Sequence, residues 1–355
     1  MPSPMKPTSH LPVLEMLRGI AACLIVLYHA CLFAQRQSGH NPLGQHFHGL
    51  QLGVDFFFVL SGFIILWRHE PDLGRPQAAP AYLLRRWLRI APLLWFATLT
   101  KQALLVCQNK PARASEVLRS LLLIPGPKGE GPLITNAWSL THELLFYLLV
   151  LLGILLGRRV LLGLTLSWLL ACLLIDLGSG PPQAWHRPLW DNHNLAFGWG
   201  MAAAVWLRHR APQQRTPALL ITSLILLGVA ALAFEPAGGM DQGLGVRLAA
   251  GIGFGLLVVA AAAIPVSGQG MTRLWLLLGR ASYSIYLGHS LLLLPLTHAG
   301  LGWAKSLGWQ QPWQLNALTL AAAMLAVVAC LPIWWLIESP MIQRARRWTS
   351  NRHLQ

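Results

Sequence analysis

The sequence predicts an all-α, polytopic integral membrane protein of about ten transmembrane helices, with both termini cytoplasmic. Three observations predict it. Of 355 residues, 55% are hydrophobic and only 11% charged, against about 25% charged in a typical soluble chain. The apolar residues gather into stretches long enough to cross a bilayer, which takes roughly 20 helical residues. The positive charges fall unevenly between alternate loops.

Spans are expected at about 12–33, 50–67, 87–107, 138–157, 159–177, 190–207, 217–234, 245–265, 274–296 and 315–337. The first, LPVLEMLRGIAACLIVLYHACLF, follows one lysine, contains Glu15 and Arg18 and lacks an A-x-A site. It reads as an uncleaved span rather than a signal peptide. A polar loop, 34–49, holds His40, His46 and His48, and the second span, GVDFFFVLSGFII, follows it. The third opens on LLRRWLRIAPLLW. Loop 108–137 is rich in Pro, Gly and charge, with a short interfacial helix expected at EVLRSLLLIPG. The fourth span begins AWSLTHELLFYLL, and Arg158 and Arg159 separate it from the fifth. The sixth opens on Asp191, Asn192, His193 and Asn194, read as a solvated helix start, with acceptor binding as the sharper alternative. The ninth carries GRASYSIYLGHS, and the tenth leads into a basic tail, about 341–355, expected on the anionic inner leaflet. The chain reads as one transmembrane domain, 1–355.

With a cytoplasmic N-terminus, the inner side holds 18 of the 27 Lys and Arg and the outer side 9, the bias expected of a membrane protein. Trp138, Trp190, Trp303, Trp309 and Trp313 fall near the outer interface. A net charge of +15 would suggest nucleic acid in a soluble chain. Here it lies in short loops that set topology, so no nucleic-acid partner is expected and the partners include membrane lipids. The five cysteines all sit in apolar runs without a CxxC pair, so neither a disulfide nor a metal site is expected.

Ionisable groups in hydrocarbon cost about 3 kcal/mol or more each. Arg18 and His29 are eleven residues apart, which returns a helix to within roughly 20° and moves about 16 Å along it. Arg18 lies toward the cytoplasm and His29 toward the outside. Asp55 and Glu143 fall at a depth similar to His29 in two other spans. Either carboxylate could instead simply favour a helix N-terminus. Ser139, Glu143 and Tyr147 repeat at i, i+4, i+8, and Ser282, Tyr286 and His289 at +4 and +3, so each set shares a helix face. These polar faces are candidate substrate-binding positions, and plain helix–helix hydrogen bonds are the alternative for His289. Arg85, Arg86 and Arg89 make a cationic face at the cytoplasmic boundary. It fits either positive-inside anchoring or a phosphate-bearing donor.

The segments together resemble the membrane-bound acyltransferase family 3, bacterial O-acyltransferases of surface glycans. The resemblance rests on Leu17-Arg18-Gly19-Ile20-Ala21-Ala22 with His29 in R-x10-H spacing, and on Gly53 to Phe63, GVDFFFVLSGF. It extends to Arg86-x-x-Arg89-Ile90-x-Pro92, Trp138-Ser139-Leu140-x-x-Glu143-x-x-Phe146-Tyr147, Ser282-Tyr283-Ser284-Ile285-Tyr286-Leu287-x-His289 and Glu338-Ser339-Pro340. Glu15 stands where many members have Asp, and Leu144 where many have a second Glu.

The resemblance implies transfer of an acyl group, usually acetyl, from cytoplasmic acyl-CoA to a hydroxyl of a glycan or lipid-linked saccharide in the bacterial inner membrane. It implies His29 as general base, Arg18, Arg86 and Arg89 as holders of the donor's phosphates, and Glu143 or Asp55 as the acid that orients His29. An acyl-histidine and a direct transfer are both compatible with it. No extra hydrolase-like domain is expected after the last span, so the chain acts alone or with a separate partner. A transporter or flippase of an acylated or lipid-linked saccharide is the alternative from another class.

Overall fold

The structure is a computed structural model. It describes residues 11–126, 130–179, 187–209, 216–234, 242–265, 270–309 and 311–350, the side chains of 45–46 and 345–350 excepted. Of the charges used above, Lys6, Lys128, Arg210, Arg215 and Arg352 lie outside the described residues, as do most side chains of the basic tail.

All regular structure among the described residues is helical. In chain order, α1 is Pro12–Ser38, α2 Gly53–His69, α3 Ala79–Cys107, α4 Ala114–Leu122 and α5 Trp138–Leu156. Then come α6 Arg158–Ser179, α7 Arg187–Trp190, α8 Leu195–His209, α9 Thr216–Leu232 and α10 Leu244–Ala262. The last are α11 Met271–Arg280, α12 Ser282–Ser306, α13 Pro312–Ile333 and α14 Ser339–Ser350. A helix satisfies its own backbone polar groups, which is what a solvent without hydrogen bonds demands.

A helix stands at each expected span. Among the described residues, seven segments are long and apolar enough to cross a membrane: Pro12–Ser38, Phe47–Asp72, Pro76–Cys107, Thr135–Leu156, Arg158–Gly178, Leu244–Ala262 and Pro312–Arg344. Helix α8 has only 15 residues, and α9, with 17, is apolar but short. Helix α12 has 25 residues but is interrupted by serine, tyrosine and histidine. The expected ninth span also starts late. The chain breaks at Ala281 between α11 and α12, and just before it Gly279 lies close against α1. A Cβ there would sit 1.9 Å from Glu15 O, and Arg280 bonds the Glu15 carboxylate at 2.8 Å.

The chain divides into two compact units. The first comprises Met1–Ala21, Gln51–Ala79 and His142–Arg280. Helices α2, α8 and α10 pack on one another, with α9 against α10. Helices α2 and α8 cross at two glycines. A Cβ on Gly200 would meet Val59 O at 1.9 Å, and one on Gly62 would meet Phe197 O at 2.2 Å. Close approach through small residues is the usual way apolar helices gain contact in lipid. Beyond the C-terminal end of α2, Glu70 takes both Arg158 and Arg208, and Arg208 also lies over the Trp67 ring. On α6, Leu166, Leu170, Leu174 and Leu177 form a stripe, each 54–67% exposed, as a face toward acyl chains would be.

The second unit comprises Ala22–Leu50, Pro80–Thr141 and Ala281–Gln355. Helices α12 and α13 pack along each other. Tyr28, Cys31 and Phe47 form a buried cluster that seats the segment after α1, and His40 Nε2 lies 3.0 Å from Asn316 Oδ1. Helix α4 is the short helix expected in loop 108–137. Leu118, Leu122 and Ile124 on and just after it are exposed, and the Trp95 indole donates to Leu121 O at 3.0 Å. After α13 the helix widens into a single π turn, Trp334–Glu338, and continues as α14. Such widenings in helices are often found at functional sites.

Candidate active site

Two imidazoles of the second unit, those of His29 and His289, meet. His29 on α1 places Nδ1 3.0 Å from Ile25 O, and His289 on α12 places Nδ1 2.9 Å from Ile285 O. His289 Nε2 then lies 3.1 Å from His29 Nδ1. His289 is fully buried, whereas His29 is partly exposed. Tyr28 packs edge-on against the His29 ring, 4.9 Å between centroids. Within this unit His29 Nε2 makes no hydrogen bond to a described residue. The plain helix–helix hydrogen bond considered for His289 is therefore present, and its partner is His29.

The turn that carries His289 is itself held. Tyr286 donates its hydroxyl to Asn136 O at 2.7 Å and lies 2.7 Å from Ser139 Oγ, while the Asn136 amide donates to Tyr286 O. All three residues are buried. Ser139 and Tyr286, expected as substrate-binding positions, thus bind each other. Ser282 is buried at the start of α12.

The arginine face of α3 is also partnered. Arg89 forms an ion pair with Glu338, which is held at the end of the π turn and only 2% exposed in its side chain. Glu338 further accepts from Ser284 N at 3.1 Å and Ser284 Oγ at 2.7 Å. The Arg89 guanidinium lies over the Tyr283 ring, and Tyr283 donates to Ile90 O at 2.9 Å. Arg89, expected to hold donor phosphates, therefore has its charge met by a buried carboxylate. Arg86 lies over the Tyr82 ring, 5.5 Å from its centroid. Glu338 sits one residue past the last expected span, 315–337, so the span boundaries alone do not mark it as an intramembrane acid. The Glu-Ser-Pro motif was visible, but its partner 249 residues away was not.

In the first unit, Glu143 and Tyr147 do share a face of α5, and the Tyr147 hydroxyl donates to Glu143 Oε1. Ser61 on α2, missed from sequence, donates to the same oxygen at 3.3 Å. Asp55 is bound by Arg247 of α10 at 2.7 Å, with both side chains at most 2% exposed. Arg247 lies near the start of the expected span 245–265 and is buried there as the partner of Asp55. Asp55 also lies in the first turn of α2, where a carboxylate is favoured, so the helix-start alternative stands beside its pairing with Arg247. Arg18, also in this unit, is half-buried on α1.

The start of α8 corrects a further expectation. Asp191, Asn192, His193 and Asn194 are buried, not solvated. Asp191 Oδ1 accepts from His193 N at 2.9 Å and its Oδ2 from Arg187 Nε at 3.0 Å. His142 Nδ1 lies 2.9 Å from Asn194 Oδ1, and Asn192 donates to Asp176 at 2.9 Å and to Gln242 O at 3.2 Å. Each side chain bonds another, as buried polar groups must. The cluster ties helix ends together.

A helical membrane protein with an open imidazole nitrogen, buried carboxylates and arginines on its spans fits the integral-membrane transferases. The acyltransferase domain model, Acyl_transf_3, matches residues 11–337. The chain belongs to that acyltransferase 3 family, and it is an acyltransferase acting on groups other than aminoacyl groups. Among curated proteins it is similar to the exopolysaccharide production protein ExoZ of Rhizobium meliloti (strain 1021), 29% identical over 322 residues, 85% of this chain and 93% of the relative. It is also similar to protein 2 in the picA locus of Rhizobium radiobacter, 28% identical over 160 residues, 39% of this chain and 79% of the relative. No solved structure matches it. The family supports the enzyme reading over the transporter alternative.

Proposed function

We propose that the chain moves an acyl group, acetyl in the simplest case, from cytoplasmic acyl-CoA to a hydroxyl of a cell-surface polysaccharide or its lipid-linked precursor. The observation that carries this reading is His29. One of its ring nitrogens is anchored, and the other is left to take a proton from an incoming hydroxyl. The chain works in the bacterial inner membrane with both termini cytoplasmic, so that donor and acceptor reach His29 from opposite sides. Arg18 and Arg86 serve the donor's phosphates, since a guanidinium fork matches them. Arg89 holds Glu338 and braces that end of the protein. Of the two carboxylates, Asp55 is bound by Arg247, so Glu143 is the one we assign to the reaction, with Tyr147 and Ser61 fixing its Oε1. The name of the ExoZ relative favours an exopolysaccharide as the acceptor.

The test is mass spectrometry of surface polysaccharide from a deletion strain and its parent. The reading expects the deletion to lose a defined acyl ester that the restored gene returns. Identical acyl content with less exported polysaccharide would favour the transporter alternative.

A further inference from the structure

Three contacts fix which nitrogens of the histidine pair bear hydrogen. His29 Nδ1 faces Ile25 O at 3.0 Å, and His289 Nδ1 faces Ile285 O at 2.9 Å. A carbonyl oxygen only accepts, so each Nδ1 must carry a hydrogen, and a neutral imidazole has just one N–H. Both Nε2 atoms are then bare. The 3.1 Å contact between His29 Nδ1 and His289 Nε2 therefore has His29 as donor, its one N–H shared between Ile25 O and His289. No other assignment of two neutral rings satisfies all three contacts. It leaves the lone pair of His29 at Nε2.

We infer that His289 is a positioning residue for His29: a neutral second imidazole that locks the base in its Nδ1–H form and takes up the charge it acquires. The inference rests on His29 being the base. In the step concerned, the acceptor O–H breaks and its proton passes to His29 Nε2. The oxygen's electron pair forms the bond to the acyl carbonyl carbon, and the C–S bond of acyl-CoA breaks. The departing thiolate then takes the proton from Nε2. While Nε2 is protonated, His29 Nδ1–H is a stronger donor, and His289 Nε2 is the acceptor already in place. A carboxylate does this in a hydrolytic triad. An imidazole does it without placing a bare negative charge in a dry site.

The scaffold around His289 suits the role. The residue is fully buried, and its ring is anchored to its own helix through Ile285 O. Tyr286, three residues earlier, is pinned by Ser139 and Asn136. On the next helix, Cys330 Sγ lies 3.0 Å from where a Cβ on Gly288 would be. The ring therefore has little freedom to swing away.

The experiment uses full-length protein in native membranes, with transfer of label from acetyl-CoA to the polysaccharide fraction. In His289→Gln the side-chain oxygen reaches where Nε2 stood and can accept from His29, whereas His289→Leu cannot accept. Leu should lower kcat about 10- to 100-fold, the loss of one hydrogen bond to a charged group, with the KM for acetyl-CoA within about twofold, and Gln should regain most of the rate. Equal impairment by Gln and Leu at normal membrane levels, or an effect confined to KM, overturns the inference. Should neither variant accumulate, the wild-type protein decides. In its 15N-histidine spectrum, His29 should be protonated at Nδ1, bare at Nε2 and coupled through the hydrogen bond to His289; protonation at Nε2 overturns the inference. A His29→Ala control separates the two readings. Undiminished transfer by that variant defeats the base assignment itself, whereas its loss beside a normal His289→Leu defeats only the role of His289.

Discussion

Asp55 on α2 and Arg247 on α10 form an ion pair 2.7 Å long, with both side chains at most 2% exposed. The pair joins two packed helices of one unit at residues 192 apart in sequence. Removing one member leaves a buried charge without its partner, which costs about 3–5 kcal/mol, whereas replacing both by apolar groups of similar volume is often neutral. Asp55→Leu should therefore lower the melting temperature of the detergent-solubilised protein sharply, and Asp55→Leu with Arg247→Met should restore most of it. A double variant that is stable but inactive would put Asp55 back in the chemistry.

Arg89 and Glu338 make the corresponding pair in the second unit. A double-mutant cycle with Arg89→Met and Glu338→Gln should show coupling of more than about 1 kcal/mol in stability. Arg86→Ala should instead raise the KM for acyl-CoA several-fold, with a smaller loss of stability than Arg89→Met. A larger KM effect from Arg89 than from Arg86 would reverse their assignment.

Tyr147 donates to the carboxylate that we assign to the reaction. Tyr147→Phe keeps the ring and removes the donor, so it should reduce kcat roughly tenfold, as expected for a hydrogen bond to a charged group. Membrane levels should hold. Unchanged turnover would mean that Glu143 needs no such support.

Glycine at the α2–α8 crossing is a packing requirement. Gly200→Ala would place a Cβ 1.9 Å from Val59 O, and the backbone would have to part, at a cost of about 1–3 kcal/mol or more. Gly228→Ala, with nothing within 4 Å of the added Cβ, should be neutral or slightly stabilising in α9, because alanine is the better helix former. Thermal unfolding of the two variants checks this, and equal stability would contradict the crossing described.

Hydropathy alone located a helix at every expected span, because apolar runs bounded by charged loops survive any tertiary arrangement. Seven of the ten expected segments are long and apolar enough to span among the described residues, while α8 and α9 are short and α12 carries polar side chains. Helical spacing placed Glu143 with Tyr147 and, through the His289 face, pointed at a residue that proves to meet His29. What periodicity could not supply was partners from other helices. Arg247 near the start of a span showed no carboxylate within helical reach, Glu338 sat one residue beyond a span, and Asp191–Asn194 looked solvated because they are polar. Each is buried because a second element covers it. Ser139 shows the limit most clearly: its spacing aligned it with Glu143, yet its hydroxyl meets Tyr286.

The central claim is that His29 takes the proton of the acceptor hydroxyl, and one measurement tests it most directly. Native membranes containing equal amounts of wild-type or His29→Ala protein are given labelled acetyl-CoA, and label in the polysaccharide fraction is counted. The account predicts transfer by the wild type and a loss of at least about 100-fold in His29→Ala, with the variant still inserted at normal levels. Transfer by His29→Ala at the wild-type rate would contradict it.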